Sequence, residues 1–408
     1  MKIIQLNSTE YRSYANIHSR RNFGQTIEYS MLRYNTDKKR YFLALVDDNN
    51  NIYAATLLLV HSVRPGILEA IAPNGYLIDY ANFELVKIFT EELTKYLKKE
   101  KVTYLITNPM FKYHVYNKEN YIIENNESLL GNLYSLNYKS LGYYSDFEKY
   151  DVIIENNNTI NDLYNNFNRN TKRNIKEGIK LGLTLHKGTI KDLEEAYDII
   201  KKKTTHKLPY YQNLMNIYDN KDNKMEVFLA KLNPHKYLVN VQKLYNEEKK
   251  RNEKIHDIFD RHIGKITNKL LNKKINSDNT VERLNQELQK AIKLDAKYNE
   301  DINVGASIII KNNHEIYFLI DGYKEEFKHI HSTHILKWAI IKKYYEYGYR
   351  IFNLGEIHKD YLDKSSKYHT QYLYKMGFGG NIIEYSPNLI LVINKPLYSI
   401  YKKINRKK

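Results

Sequence analysis

The spacing of apolar residues changes character several times along the chain, and each change marks an element. Residues 41–46 and 52–60 are rich in apolar and β-branched side chains on either side of Asp48-Asn49-Asn50-Asn51, which predicts two strands joined by a hairpin turn. Residues 83–99 place Leu85, Ile88, Phe89, Leu93, Tyr96 and Leu97 three or four apart, the face of one helix. Residues 102–107 read as a buried strand, closed by Asn108-Pro109. A second unit starts near Asp151, with strands predicted over 151–155, 183–186 and 225–232. Between them lie a basic helix and a helix over 190–203 that Thr189 is placed to cap.

From about 236 to 300 the pattern is different: proline-free, charge-rich, and apolar near heptad spacing. Val241, Leu244, Ile255, Ile258, Ile266 and Leu270 mark one run, and Val281, Leu284, Leu288 and Ala291 another. The stretch 272–280 (NKKINSDNT) is rich in turn formers, so two helices folded back there as an antiparallel coiled coil are expected, with Glu248 and His262 as polar breaks in the seam. Strands then resume at 306–310 and 315–320 around Asn312-Asn313. A helix over 334–347 closed by Gly348, and a strand over 350–354, follow. The arm is thus inserted into the second α/β unit, and residues 401–408 read as a frayed basic tail.

Composition narrows the class. The 408 residues are 42% hydrophobic and 27% charged, enough apolar material for more than one core. Lys and Arg number 64 against 47 Asp and Glu, a net charge of +17 that favours anionic partners: nucleic acid, anionic lipid or phosphorylated substrates. Cysteine is absent, which excludes disulfides, thiolate catalysis and Cys-ligated metals. The first residues carry no apolar core of signal-peptide length, and the longest apolar runs, 54–60 and 306–310, are too short to span a bilayer. A soluble intracellular protein is expected. The 39 tyrosines, alongside many Ile, Lys and Asn, reflect AT-rich coding more simply than function.

Familiar catalytic motifs are missing: no GxxxxGK[ST], no GxGxxG after a strand, no HExxH. His329, His331 and His334 lie close together, but no carboxylate follows at ligand spacing, so surface or capping roles are favoured over metal binding. In residues 168–180, Arg169, Lys172, Arg173, Lys176 and Lys180 recur at helical spacing as one basic stripe. The stripe suits phosphates, weakly, and a solvated helix face equally well. His206-Lys207-Leu208-Pro209-Tyr210-Tyr211 is a cationic, aromatic loop in which Lys207 could clamp a phosphate beside Tyr211, or which its tyrosines simply pack. Residues 372–380 (YLYKMGFGG) set Lys375 among aromatic residues just before Gly377. A lysine held there can stabilise a developing oxyanion, whereas composition alone suggests a snorkelling surface lysine.

Taken together, several stretches resemble the Fem family (FemA-, FemB- and FemX-like) of peptidoglycan interpeptide-bridge aminoacyltransferases, over essentially the whole chain. They are Phe23-Gly24-Gln25-Thr26, Gly75-Tyr76-Leu77-Ile78-Asp79-Tyr80, Arg169-Asn170-Thr171-Lys172, and 303–307 (NVGAS). Residues 349–355 (YRIFNLG), 374–377 (YKMG), 383–385 (IEY) and 393–398 (INKPLY) complete the set, and their order and spacing carry the resemblance.

The resemblance implies an α/β fold with mixed sheets: two GNAT-like (acyl-CoA N-acyltransferase-like) domains and an inserted antiparallel coiled-coil arm. The first domain is expected at 1–150, with 385–408 returning to it, the second at 151–235 and 301–384, and the arm at 236–300. It implies transfer of Gly, Ser or Ala from aminoacyl-tRNA to the stem peptide or growing bridge of a precursor, lipid II, at the inner membrane face. Homologous Fem-type partners are implied, and no metal or organic cofactor. Arg33 and Lys207 match basic family positions that contact precursor phosphates, Tyr211 a tyrosine beside them, and Lys375 a functionally important lysine. The Q/RxxGxG/A loop of coenzyme A enzymes is absent, as a tRNA-borne donor would explain. The chain departs from the family at Asn74, Asn108 and Ile320; Asn108 stands where an aspartate is usual. The competing functions are aminoacyl-tRNA–protein transfer and a non-catalytic tRNA-binding or immunity-type role.

Overall fold

The computed structural model describes residues 1–32, 38–145, 149–262, 264, 266–312 and 314–405. Arg33, Asn313 and the final basic residues 406–408 lie outside the described residues. Strands β1 (Lys2–Gln5), β2 (Lys39–Val46), β3 (Ile52–Arg64) and β4 (Ile67–Ala72) form an antiparallel meander. The helix Phe83–Lys99 crosses over, and β5 (Tyr104–Thr107) returns parallel to β4. Strands β6 (Lys112–Tyr116), β7 (Ile122–Asn125), β8 (Tyr138–Gly142) and β9 (Tyr150–Glu155) follow. A second meander comprises β10 (Thr184–Lys187), β11 (Lys224–Leu232), β12 (Ile302–Lys311) and β13 (Glu315–Tyr323). The helix Ser332–Glu346 crosses over, and β14 (Ile351–Ile357) runs parallel to β13. The chain ends through β15 (Asn381–Tyr385), β16 (Asn388–Val392) and a helix, Lys395–Asn405.

The same succession, four antiparallel strands, a helix and a parallel fifth strand, thus occurs twice, as a pair of acetyltransferase-like units. The first sheet runs β1-β2-β3-β4-β5-β16-β8 and the second β10-β11-β12-β13-β14-β9-β15-β6-β7. The chain exchanges strands between sheets: β16 inserts between β5 and β8, while β6 and β7 join the edge of the second sheet. The inner strands are covered on both faces, so they read as continuous apolar runs rather than alternating ones. Residues 54–60 and 303–310 are buried throughout. The first crossover helix shows why its sequence folds locally. Asn82 caps the Leu85 amide, Lys98 and Lys99 face the negative helix end, and Val86, Phe89, Leu93 and Leu97 are buried against the sheet.

The arm leaves the second sheet between β11 and β12, at the place the short Asp47–Asn51 turn fills between β2 and β3 in the first. It is an antiparallel hairpin of two helices, Pro234–Asp260 and Asn268–Lys297. The turn expected over 272–280 is not there: these residues continue the second helix, and the reversal falls between Asp260 and Asn268, where Gly264 adopts φ +109° and Thr267 caps the return. The turn-forming side chains are spent on the partner helix instead. Ser277 donates to Glu248 at 2.9 Å, and Asp278 accepts from Asn252 at 2.7 Å and pairs with His256 at 2.6 Å. With the reversal moved, Ile258 and Ile266 fall at the tip and are exposed, while Val241, Ile255, Leu284, Leu288 and Ala291 hold the seam. At the arm's root, Glu287 accepts from Tyr237 and pairs with His329 at 2.6 Å. The frayed tail expected over 401–408 is corrected over 401–405, which are helical, with Tyr401 stacked on Tyr104 at 5.6 Å between ring centroids.

The two units meet along the segment that holds the Phe-Gly-Gln-Thr motif. Phe23 stacks on Tyr218 at 5.2 Å, and Thr26 lies 3.2 Å from the Tyr218 hydroxyl. Below them Glu28 is buried and accepts from Arg12 (2.8 Å), Asn220 (2.8 Å) and Asn223 (3.1 Å).

Candidate functional site

Strands β13 and β14 pair only over Glu315–Tyr317 against Ile351–Asn353, and then diverge. A bulge interrupts the β14–β9 register between Asn353 and Glu356, and Gly355 within it adopts φ +83°, a conformation that favours glycine. The gap opens into a cleft of ≈ 1330 Å³. Lys203, Tyr211, Tyr317, Asp321, His334 and Lys375 line it, together with Asn168, Asn170 and Thr171 at the start of the basic helix Arg169–Lys180.

The equivalent ends of β4 and β5 in the first unit are closed by hydrogen bonds. Pairing continues to Ala72 and Thr107, and then the Asn74 amide donates to Asn108 Oδ1 at 2.7 Å while Asn108 Nδ2 donates to Asn74 Oδ1 at 3.1 Å. Gln25 adds a bond to the Pro73 carbonyl at 2.7 Å. The two departures at Asn74 and Asn108 therefore bond to each other and seal the first unit's strand ends. Ile320, the third, lines the cleft of the second unit.

Lys375 sits in the last turn of the helix His369–Met376 and is buried. Its Nζ donates to the Glu356 carbonyl at 2.6 Å. Burial and the nearby Lys337 charge push its ammonium down to about 8, against the pull of Asp151, Asp321 and Glu356. Gly377 explains how this helix meets the basic one. Its carbonyl accepts from the Asn168 amide at 2.9 Å, and a side chain there would strike Thr171 Oγ1. Asn168 in turn caps the basic helix by accepting from the Thr171 amide at 2.7 Å.

Beside Lys375 lies a second lysine that the sequence reading missed. Lys337, only 1% exposed, pairs with Asp321 at 2.9 Å and covers the Phe318 ring. Burial raises the Asp321 carboxyl, but the charges of Lys337 and Lys203 outweigh it and hold the group below its ordinary value. On its helix Lys337 has Thr333 and His334 one turn before it and Ile340 and Ile341 one turn after, a mixed setting that does not separate it in sequence from a surface lysine. Lys203, counted only as the end of a helix, reaches the cleft with its Nζ 4.6 Å from the Tyr323 ring centre.

The predicted residues are distributed unevenly. Tyr211 is buried at the cleft wall and donates to Thr204 at 2.8 Å. Lys207 is exposed at the start of the helix Leu208–Ile217 and is not part of the cleft lining. Of the basic stripe, Arg169, Arg173 and Lys176 are exposed, and Lys172 donates to the Asn165 carbonyl at 2.8 Å. The stripe points to solvent while the asparagine-rich start of the same helix faces the cleft. Of the three histidines only His329 stands apart, paired with Glu287; His331, which precedes the crossover helix with φ +54°, and His334 both line the cleft, their ring centroids 5.7 Å apart. Burial pushes His334 down to about 4, so it is neutral at pH 7. Among the described residues no cluster of three metal-ligating side chains occurs.

A meander repeated twice, and splayed open in its second copy over a buried lysine, is an N-acyltransferase-like fold. The FemAB family matches residues 6–406, and the chain belongs to it. Among curated proteins it is similar to aminoacyltransferase FemA of Staphylococcus epidermidis, at 26% identity over 100% of both chains. FemA of Staphylococcus aureus strain MRSA252 is 24% identical over 100% of this chain and 99% of the relative. Among solved structures, FemX superposes with a TM-score of 0.74 over 98% of this chain and 99% of its own, at 18% identity, and shares the fold.

Proposed function

We propose that this aminoacyltransferase moves an aminoacyl group from aminoacyl-tRNA to an amine of a peptidoglycan precursor, lipid II, extending an interpeptide bridge by Gly, Ser or Ala. The observation that carries the reading is Lys375, buried and cationic where the second unit splays open. The donor ester is already activated. The acceptor nitrogen attacks its carbonyl carbon, a tetrahedral oxyanion forms, and the ribose oxygen leaves with the proton the amine releases. In this reading Lys375 faces the oxyanion, a contribution of about 3–4 kcal/mol by comparison with loss of one such donor. Holding ester and amine together supplies roughly 7–11 kcal/mol. The net charge of +17, Lys203 and the outward basic stripe suit a polyanionic donor. Arg33, Lys207 and Tyr211 are proposed for the precursor.

None of the described helices is long and apolar enough to cross a membrane. The reading places the enzyme in the cytoplasm, against the inner face of the membrane where its acceptor resides. The second unit carries the chemistry, and the first unit and the arm supply binding surface.

The test is a transfer assay with tRNAs charged separately with labelled Gly, Ser or Ala, and lipid II with and without a first bridge residue. Label in the precursor is expected for one combination, and it names the amino acid and the bridge position. No label with any pair, from protein that still binds charged tRNA, overturns the reading.

A further inference from the structure

Asp151 has no part in the chemistry described above, yet it is a buried carboxylate in the middle of the second sheet. Burying a carboxylate without a close cation is costly. Its hydrogen-bonding partners are neutral: Asn353 Nδ2 donates to it at 2.9 Å and the Tyr385 hydroxyl at 3.2 Å. Asn353 works at both ends. Its Oδ1 accepts from the Gly355 amide at 2.8 Å, inside the bulge. Asp151 is the cross-strand partner of Glu356, the next residue. The Glu356 carbonyl holds the Lys375 ammonium at 2.6 Å, and that ammonium lies 3.3 Å from where a side chain on Gly355 would begin. Carboxylate, amide, bulge, carbonyl and ammonium form one connected path.

We propose that Asp151 and Asn353 are positioning residues for Lys375: the carboxylate fixes the Asn353 amide, the amide holds the Gly355 bulge, the bulge aims the Glu356 carbonyl at the ammonium, and the buried negative charge favours its cationic form. A carboxylate can only accept, so the Asn353 amide must turn its NH₂ toward Asp151 and its oxygen toward Gly355. With an amide at 151 that constraint is gone, and Asn353 is free to flip and set a donor against the Gly355 N–H.

The charge balance around Lys375 is drawn from every element packed on it. Lys337 on the crossover helix repels it, while Asp321 on β13, Glu356 on β14 and Asp151 on β9 attract it. Nearby His334 is neutral and adds no charge at pH 7. Around Asp151 itself stand Tyr317, Tyr385 and Glu315, and Arg21 faces Glu315. Burial, with Asp151 beside it, lifts Glu315 to about 7. Asp151 is therefore an attractive charge on Lys375 that also acts, through Asn353, on the geometry of the carbonyl that holds it.

The inference rests on the cationic role of Lys375 and is tested separately from it. For the native enzyme kcat should fall as pH rises through about 8. Asp151→Asn should move that alkaline limb down by about one pH unit, with roughly a fivefold loss of kcat at pH 8 and little change in KM for lipid II. Tyr385→Phe, which keeps the ring, should move it in the same direction by less. Independently of turnover, the pH dependence of Lys375 modification by acetic anhydride, read by mass spectrometry, should shift with the limb. A limb and a labelling midpoint unchanged in both variants overturn the inference, even where Lys375→Met is inactive. A fully active Lys375→Met overturns the cationic role itself.

Discussion

Glu28 offers a quantitative check on how the two units are joined. It is 2% exposed and lies in the first unit, while Asn220 and Asn223 come from the loop before β11 in the second. Glu28→Gln keeps the volume and removes the charge. The new amide has one oxygen for two asparagine NH₂ groups, and its own NH₂ is set against whichever remains. One orphaned buried donor costs about 1–3 kcal/mol. The lost pair with Arg12, whose side chain is 32% exposed and so partly screened, adds up to about 1 kcal/mol. The expected destabilisation is therefore about 1–4 kcal/mol. Urea unfolding measures it through Trp338, the single tryptophan, which is wedged against Tyr164 and Phe167 in the second unit at 5.0 and 5.4 Å. Far-UV circular dichroism follows both units in parallel. Asn16→Ala removes the neighbouring bond to Asp222 (2.8 Å) at the rim and should cost about 1 kcal/mol. If Glu28→Gln shifts the transition by no more than Asn16→Ala does, the buried bonds of Glu28 to Asn220 and Asn223 do not hold the two units together.

Other consequences are as direct. Lys375→Met should lower kcat by about 10²–10³ while leaving KM for the charged tRNA nearly unchanged, read in the transfer assay. Lys337→Met strands Asp321 without its partner and should destabilise the fold by roughly 3–5 kcal/mol in urea. Gly377→Ala should push the basic helix away from the Lys375 helix, lowering kcat and speeding amide exchange at Asn168, and unchanged exchange would refute the contact. His334 is neutral when folded, with its affinity for a proton lowered to about 4, so the unfolded chain binds more protons between about 6.5 and 4. Stability from this group is present above pH 6.5 and is lost toward pH 4. The acid sensitivity of the thermal midpoint should accordingly be smaller in His334→Phe.

Periodicity was enough to read the crossover helix Phe83–Lys99, most strands of the two meanders, and an arm inserted before β12, because each is a local pattern: one apolar face on a helix, a continuous apolar run in an inner strand. Lys375 could be picked out because glycines and aromatic residues crowd it in sequence. The reversal of the arm could not be read: Ser277 and Asp278 look like turn formers until a partner helix offers them Glu248, Asn252 and His256. Nor could the passage of β6 and β7 into the second sheet, since strand pairing joins residues hundreds of positions apart and leaves no trace in spacing. Charge behaved in the same way. The sequence determined an excess of lysine and arginine, but only tertiary packing decided that Lys337 and Lys375 are buried side by side while Lys207 and most of the basic stripe face water. A side chain's environment is made by elements distant in sequence, and so the open splay of β13 and β14, with the Asp151–Asn353 path beneath it, exists only in the folded chain.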